Sequence, residues 1–148
     1  MKNVFYFIVG FTLLTIFVTS CEKDKDTTKP IITIQLPNIG DTVKLGADIN
    51  YDVYFEDDIE LKAYKIDIHS NTDGHSHEKS TTIGGVWDYE YSADFNIGSK
   101  KDRIVGKVPV PKTVENIETK TGAYHFIIYC TDAAGNEAWI AKSIVVVP

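Results

Sequence analysis

Apolar side chains recur at every second position of this chain, and this spacing limits the fold more than any other feature. The clearest case is the set Ile49, Tyr51, Val53 and Phe55, which alternates with mostly polar residues. Such alternation is typical of half-buried β-strands, whereas an amphipathic helix needs apolar residues three and four positions apart. No long segment of the chain has the helical spacing. The sequence therefore predicts an all-β protein.

Turn-forming Gly, Pro, Asn and Asp residues separate the alternating segments. Seven or eight short strands within about 120 residues indicate an immunoglobulin-like antiparallel β-sandwich. The predicted strands are residues 32–36, 41–45, 49–56, 61–69, 83–95, 103–110, 124–130 and 137–147, with polar loops at residues 70–80 and 115–122.

The first 21 residues have the features of an export signal. Lys2 precedes a mostly apolar run from Val4 to Val18, which is short for a membrane span. Small residues followed by Cys21 resemble the lipobox of bacterial lipoproteins. The resemblance implies removal of residues 1–20 and attachment of lipid to the Cys21 thiol. Ordinary cleavage beside a chance cysteine and an uncleaved anchor are the alternatives.

The predicted organisation has three parts. A signal peptide at residues 1–20 is followed by the lipidated cysteine and a charged flexible tether at 21–29, and the sandwich domain takes up 30–148. The tether after the cysteine has no apolar residue, so it should be disordered. Its acidic, lysine-containing composition resembles the segment that directs Bacteroidetes-type lipoproteins outward. The expected location is the outer membrane at the cell surface, and the periplasmic face is the alternative.

Charge and cysteine content narrow the possible partners and chemistry. The chain carries 15 basic and 21 acidic residues, a net charge of −6, which argues against nucleic acid as a partner. The expected partners are the membrane, through the lipid anchor, and an envelope protein or a glycan. Cys130 is left without a second cysteine, and its strand position favours a buried apolar role. The sequence has no P-loop, GxSxG, HExxH or CxxC motif, so we expect no enzymatic activity.

Histidines supply the strongest chemical signal. His69 ends one predicted strand and His125 begins another, and antiparallel pairing would bring both to the same end of one sheet, facing outward. His75 and His77 lie two residues apart in the loop that follows His69, so in an extended chain they would point to one side. Imidazole nitrogens suit zinc or copper. The sequence therefore predicts a transition-metal site made by these four histidines.

Carboxylates near these histidines extend the prediction. Asp73 or Glu78 could replace one histidine as a ligand, and Asp67 could orient the ring of His69 from the side. A site with an open position could activate water, which leaves a zinc-dependent hydrolase as a remote alternative. The competing interpretation is a solvated polar loop with incidental histidines and no metal.

Two weaker sites are predicted elsewhere. Asp57 and Asp58 lie in a turn that the fold should bring near Asp132, and carboxylates gathered in this way suit calcium. Same-face aromatics on the strand at 83–95 could stack on sugar rings, although aromatics at this spacing are more often part of a core. These glycan candidates are Trp87, Tyr89 and Tyr91.

A family resemblance is carried by several motifs together. The segment from Gly122 to Phe126 and the turn from Thr131 to Asn136 resemble the last hairpin of bacterial immunoglobulin-like domains. With the lipobox, the tether, the acidic turn after Phe55 and the histidine segment, the chain resembles a Bacteroidetes family of small immunoglobulin-like lipoproteins of unknown function. The resemblance implies a fold and an envelope location. It implies no activity and no catalytic residues.

Overall fold

The computed structural model describes residues 25–71 and 84–148, and ten strands lie within them. They are β1 (Ile31–Leu36), β2 (Thr42–Lys44), β3 (Asp48–Glu56), β4 (Leu61–Ser70), β5 (Tyr89–Asp94), β6 (Lys101–Pro109), β7 (Thr113–Val114), β8 (Ile117–Glu118), β9 (Gly122–Asp132) and β10 (Glu137–Val147).

Two sheets form the sandwich. The three-stranded sheet has the order β1-β3-β6, and the five-stranded sheet has the order β2-β10-β9-β4-β5. The remaining pair, β7 and β8, forms a small separate hairpin. The predicted all-β immunoglobulin-like sandwich is therefore confirmed, with eight strands in its two sheets and two further two-residue strands beside them.

One strand pair departs from the antiparallel prediction. β2 runs parallel to β10, with Val43 opposite Val146. The chain leaves the three-stranded sheet after β1 at Pro37, which has no amide hydrogen to donate to a strand neighbour. It then crosses to the free edge of β10, where the amide of Gly40 donates to the carbonyl of Ser143 at 2.8 Å.

The predicted strand over residues 83–95 is shorter in the structure. Within the described residues it begins only at Tyr89. The preceding segment lies along the β7–β8 hairpin instead. The Gly85 amide donates to the Glu118 carbonyl at 2.8 Å, and the Lys120 amide donates to the Gly85 carbonyl at 3.0 Å. A Cβ atom at Gly85 would meet Val114 at 2.8 Å, so glycine permits this close approach. The predicted loop at 115–122 accordingly contains β8.

The core lies between the inner faces of the two sheets. Alternate residues of β3, β4 and β9 point into it, as their period of two requires. Cys130 is fully buried there, and burial raises the pKa of its thiol to about 12. The thiol is thus held in its neutral form, as an apolar core residue. The side chains with no more than 2% exposure include Val53, Phe55, Leu61, Ile66, Ile68, Tyr124, Phe126, Ile128 and Ile144.

Tyr124 ties the start of β9 to the preceding loop. Its ring is fully buried, and its hydroxyl donates to the Lys120 carbonyl at 2.7 Å. Immunoglobulin-like domains use such a tyrosine corner at the start of the equivalent strand. Trp87 packs against the same ring at a centroid distance of 5.7 Å. This corner therefore joins the loop, the strand and the segment before β5.

The two ends of the sandwich differ in what they carry. At one end, the turn at residues 57–60 meets the turn between β9 and β10, where the Ala133 amide donates to the Glu60 carbonyl at 2.9 Å. We call this the hairpin end. The last residues of β4 and the first residues of β9 lie at the opposite end, because these strands run antiparallel from Leu61 opposite Asp132 to Ser70 opposite Tyr124.

Replacing Tyr124 with Phe should lower the free energy of unfolding by about 1–3 kcal/mol, because a buried hydroxyl partner of the Lys120 carbonyl is lost. Urea denaturation monitored by tryptophan fluorescence measures the change. Tyr54→Phe is the matched control, since that ring is 39% exposed on the other sheet. Equal stability of the two variants would contradict a structural role for the Tyr124 hydroxyl.

Candidate functional site

His69 and His125 lie side by side on the outer face of the five-stranded sheet. The two residues are directly opposite each other in the β4–β9 register, and their neighbours Ile68 and Phe126 point into the core. Their ring centroids are 5.6 Å apart, with 60° between the ring planes. Two imidazoles bound to one tetrahedral zinc at the usual Zn–N distance would have centroids about 5 Å apart. The rings are therefore spaced nearly as two ligands of one ion would be.

Asp67 orients the first of these rings. Its Oδ1 lies 2.7 Å from Nδ1 of His69, so Nδ1 is the donor and the lone pair of a neutral ring is on Nε2. Burial alone would raise the pKa of Asp67, but hydrogen bonds from His69 and Lys65 outweigh that effect and lower it. The carboxylate thus stays charged at neutral pH. A carboxylate behind an imidazole in this way is the usual support of a metal-binding histidine.

The remaining predicted ligands of this site fall outside the described residues. These are His75, His77, Asp73 and Glu78. In the part of the chain that the structure describes, the site consists of two imidazoles and the Asp67 carboxylate. The ligand atoms of these three residues do not all come within 4.8 Å of one another. Metal binding at this position stays a prediction.

The predicted calcium residues are only partly brought together. Asp57 and Asp58 lie at the hairpin end, with ligand oxygens within 4.8 Å of each other and of a third carboxylate, Asp26. Asp132 is engaged by its own turn, since its carboxylate accepts from the backbone amide and the side-chain amide of Asn136 at 2.8 and 2.7 Å. Aspartate at this turn position commonly accepts hydrogen bonds from the backbone of its own turn. Asp132 is therefore not a member of the carboxylate cluster.

Asp26 could not be identified as a site residue because it lies in the predicted tether. Residues 25–29 lie outside every strand, yet Asp26 is partly buried and its carbonyl accepts from the Asn136 side chain at 3.2 Å. The expectation of a disordered tether is wrong for Asp26, since it packs against the domain. No pattern in the sequence marks this contact, which joins residues 110 positions apart.

The predicted glycan platform is not formed by the residues proposed for it. Trp87, Tyr89 and Tyr91 lean toward the core side of the sandwich. Trp87 is only 8% exposed against Tyr124, and Tyr89 is half-buried against the core. Tyr91 is 45% exposed at the edge strand, where it packs against Tyr64 at a centroid distance of 6.2 Å. The interpretation of Trp87 as an exposed platform is wrong, because the inner face of the sheet buries it.

An exposed tryptophan lies instead on the outer face of the same sheet, beside a half-buried tyrosine. Trp139 of β10 is 64% exposed and is directly opposite Tyr129 of β9. The Lys65 ammonium lies 4.6 Å from the centroid of the Tyr129 ring. Beside them is a shallow groove of about 360 Å³, lined in part by Tyr64 and Glu137. Side chains alternate between the two faces of a strand, and Trp139 lies an odd number of positions before the buried Ile144. The sequence alone would therefore have assigned Trp139 to the solvent-exposed face.

The family assignment follows from comparison of the whole chain. A family described as a domain of unknown function, DUF4625, matches residues 19–147. The chain belongs to the DUF4625 family. This confirms the predicted membership of a family of unknown function, while Bacteroidetes origin and lipid attachment stay predictions. Among proteins with curated descriptions, none matches the chain.

Solved structures similar to this DUF4625 chain share little sequence with it. Wild-type OgpA from Akkermansia muciniphila has a TM-score of 0.50 and 13% identity, over 80% of this chain and 29% of OgpA. Fibronectin(III)-like modules of Clostridium thermocellum CbhA have a TM-score of 0.45 and 14% identity, over 78% of this chain and 94% of the modules. A β-glucosidase from Listeria innocua has a TM-score of 0.42 and 6% identity, over 78% of this chain and 16% of the enzyme.

These likenesses concern the fold alone, because all identities are low. The DUF4625 chain spans less than a third of the OgpA chain, at 29% of its length. In residues 25–71 and 84–148 there is no helix long and apolar enough to cross a membrane.

The lowered pKa of Asp67 predicts a pH-dependent contribution to stability. A carboxyl with a lowered folded-state pKa stabilises the fold above its ordinary pKa, near 3.8, and this stabilisation is lost as the pH falls through the lowered value. We expect Asp67→Asn to be less stable than the parent by at most about 1 kcal/mol near pH 6. The gap should close as the pH falls below the ordinary value and through the lowered pKa of Asp67.

Urea denaturation at each pH measures this gap, and Asp94→Asn is the control because Asp94 is exposed on the neighbouring strand β5. A gap for Asp67→Asn that does not change with pH would contradict the assigned hydrogen bonds.

Proposed function

We propose that this chain is a lipid-anchored accessory binding module of the cell envelope, without enzymatic activity, and that it binds a transition metal at His69 and His125. The observation that carries the metal proposal is the His69–His125 pair with Asp67 behind it. The coarser part, a binding module on an immunoglobulin-like sandwich, is compatible with membership of a family of unknown function.

Support for lipid anchoring comes from the N-terminal sequence. The apolar segment ends in small residues directly before Cys21, and the family match begins at residue 19, so it includes this cysteine. Several acyl chains on one cysteine would hold the protein durably, at about 0.8 kcal/mol per buried CH₂ group. The acidic, lysine-containing residues that follow favour an outer membrane location with the domain facing outward.

Mass spectrometry of the N-terminal peptide tests the anchor. Protein purified in detergent from cells that express the full chain should begin at an acylated Cys21. Cys21→Ser should remain unacylated, because serine cannot form the thioether. Cys130→Ala is the matched control and should be processed normally, since Cys130 is buried in the core.

An unmodified Cys21 in the parent protein would refute the anchor. Protease treatment of intact cells then distinguishes the two faces of the membrane. Digestion of the domain is expected for surface display, and protection would assign the periplasmic face.

The chemistry of the histidine pair favours zinc or copper. With Nδ1 of His69 directed to Asp67, Nε2 is available to an ion, and neutral imidazole nitrogen suits both metals. Two residues held opposite each other by a β-ladder need little reorganisation on binding. We propose that His75 and His77 complete the ligand set, with Asp73 or Glu78 as an additional ligand.

Metal titration of the chelator-treated protein tests the site. We expect about one equivalent of Zn²⁺ or Cu²⁺ to bind, and a hundredfold excess over Kd should stabilise the fold by about 2.7 kcal/mol. His69→Ala and His125→Ala should each weaken binding by more than about a hundredfold because an ion ligand is lost. Asp67→Asn should weaken it by about 10- to 100-fold.

Trp139→Ala is the matched control for the metal titration, because Trp139 is on the same outer face but in a different part of the sheet. Absence of binding, or binding unchanged in both His69→Ala and His125→Ala, would refute the metal site. Loss of binding in the double variant His75→Ala/His77→Ala would assign the loop histidines to it.

Glycan or protein binding without a metal is the second candidate function. The exposed Trp139, opposite Tyr129 and beside a groove, favours it, because aromatic faces stack on sugar rings and anchor protein partners. The same variants discriminate the two functions. Binding to envelope polysaccharide that is lost in Trp139→Ala and retained in His69→Ala would favour this candidate.

A further inference from the structure

A second cluster of charged side chains lies at the hairpin end, away from the histidines. One ligand oxygen from each of Asp26, Asp57 and Asp58 lies within 4.8 Å of the others. Asp57 and Asp58 belong to the turn after β3, whereas Asp26 precedes β1 by several residues. Three carboxylates from two separate parts of the chain are therefore gathered in the space of one ion's coordination shell.

Two oxygens of this cluster are buried without a hydrogen-bond donor in the described part of the chain. Asp57 is only 5% exposed, and its Oδ1 accepts from the amides of Ile59 and Glu60 at 2.9 and 2.7 Å. Among the residues that the structure describes, neither its Oδ2 nor the buried Oδ2 of Asp26 has a hydrogen-bond partner. A buried carboxylate oxygen without a partner is costly, so native structures pair nearly all of them.

Side chains with positive charge do not neutralise the cluster in the described ranges. The Lys100 ammonium donates to the backbone carbonyl of Asp58 at 2.7 Å and not to its carboxylate. The Asn136 side-chain amide likewise donates to the backbone carbonyl of Asp26. Among the ion pairs of the described residues, none includes these three carboxylates. Within the described residues, no positively charged side chain therefore forms an ion pair with these carboxylates.

We propose that Asp26, Asp57 and Asp58 form a Ca²⁺ site. Calcium takes six to eight oxygen ligands at about 2.3–2.6 Å, so oxygens on one ion lie up to about 5 Å apart, as the three carboxylate oxygens do. The carboxylates can bind through one or two oxygens each, and water fills the remaining positions. Zinc and copper prefer nitrogen and sulfur, so this site and the histidine pair select different metals.

Calcium at this position fastens the segment before β1 to the sandwich. Asp26 is followed by only a few residues before Ile31 begins β1, and Asp57 and Asp58 immediately follow β3, the partner of β1. An ion shared by the three would fix the point where the chain enters the domain. The bound cation would thereby shorten the free part of the predicted tether, and with it the distance that the domain can reach from its lipid anchor.

Calorimetric titration of the chelator-treated protein with Ca²⁺ tests the site. The parent protein, purified in detergent from cells that express the full chain, should bind about one equivalent, and its melting temperature should rise. Asp26→Asn and Asp57→Asn should each weaken Ca²⁺ binding at least about tenfold, because the charge of the ligands sets the affinity. Asparagine retains an oxygen that can accept from the backbone, so both variants should still fold.

Asp41→Asn is the matched control. The Asp41 carboxylate also accepts a hydrogen bond from a backbone amide in a turn, that of Asn38, at 2.7 Å. However, Asp41 lies beside the β2–β10 pair, at the end of the sandwich opposite the hairpin end. Its Ca²⁺ affinity should equal that of the parent. No calcium binding at millimolar concentration, or equal binding by the parent and Asp57→Asn, would overturn the site.

Trypsin cleavage after Lys25 tests the role of Asp26. Calcium should slow this cleavage in the parent and in Asp41→Asn, and should leave its rate unchanged in Asp26→Asn. Calcium binding that leaves cleavage after Lys25 unprotected in the parent would refute the attachment of this segment. Since zinc is absent from these assays, failure of the calcium site would say nothing of the histidine pair.

Discussion

β4 and β9 pair antiparallel through the middle of the five-stranded sheet, and both the core and the candidate sites depend on the register of this pair. Ile66 lies opposite Ile128 on the inner face, while His69 lies opposite His125 on the outer face. A shift of one residue would turn the inner side chains to solvent and the histidines into the core. The burial of the aliphatic side chains therefore holds the two imidazoles in place, although these rings contribute little to the core themselves.

The two ends of this strand pair carry different chemistry. Nitrogen donors lie at one end, with Asp67 behind His69, and the carboxylates of Asp26, Asp57 and Asp58 lie at the hairpin end. The two sites lie at opposite ends of the β4–β9 pair, so they cannot share an ion. A substitution in one site should therefore leave the ligands of the other unchanged. The outer face between them carries Tyr129 and the exposed Trp139. The described part of this small domain thus presents three surfaces of different chemistry.

The fold was largely predictable, because alternation of apolar residues reports directly which face of a strand is buried. The β4 and β9 strands and the outward parity of His69 and His125 could be predicted in this way. The direction of β2 and the shortened β5 could not, since both depend on edge contacts with segments distant in the chain. Tyr89 shows what alternation cannot predict. The pattern correctly placed Tyr89 and Tyr91 on one face of the edge strand, but it does not say whether that face packs against the core or is exposed to solvent.

The sequence by itself determined the class of fold, the strands that alternate, and the residue types available for chemistry, because these follow from local periodicity and side-chain character. Only the tertiary structure decided which carboxylates meet. Asp132 and Asp57 both lie at the start of a turn. The Asp132 carboxylate is satisfied by Asn136, whereas Asp57 has one oxygen without a donor among the described residues and lies in a cluster with Asp26. That difference arises from contacts between distant segments, and such contacts are set by how the two sheets pack and not by any pattern along the chain.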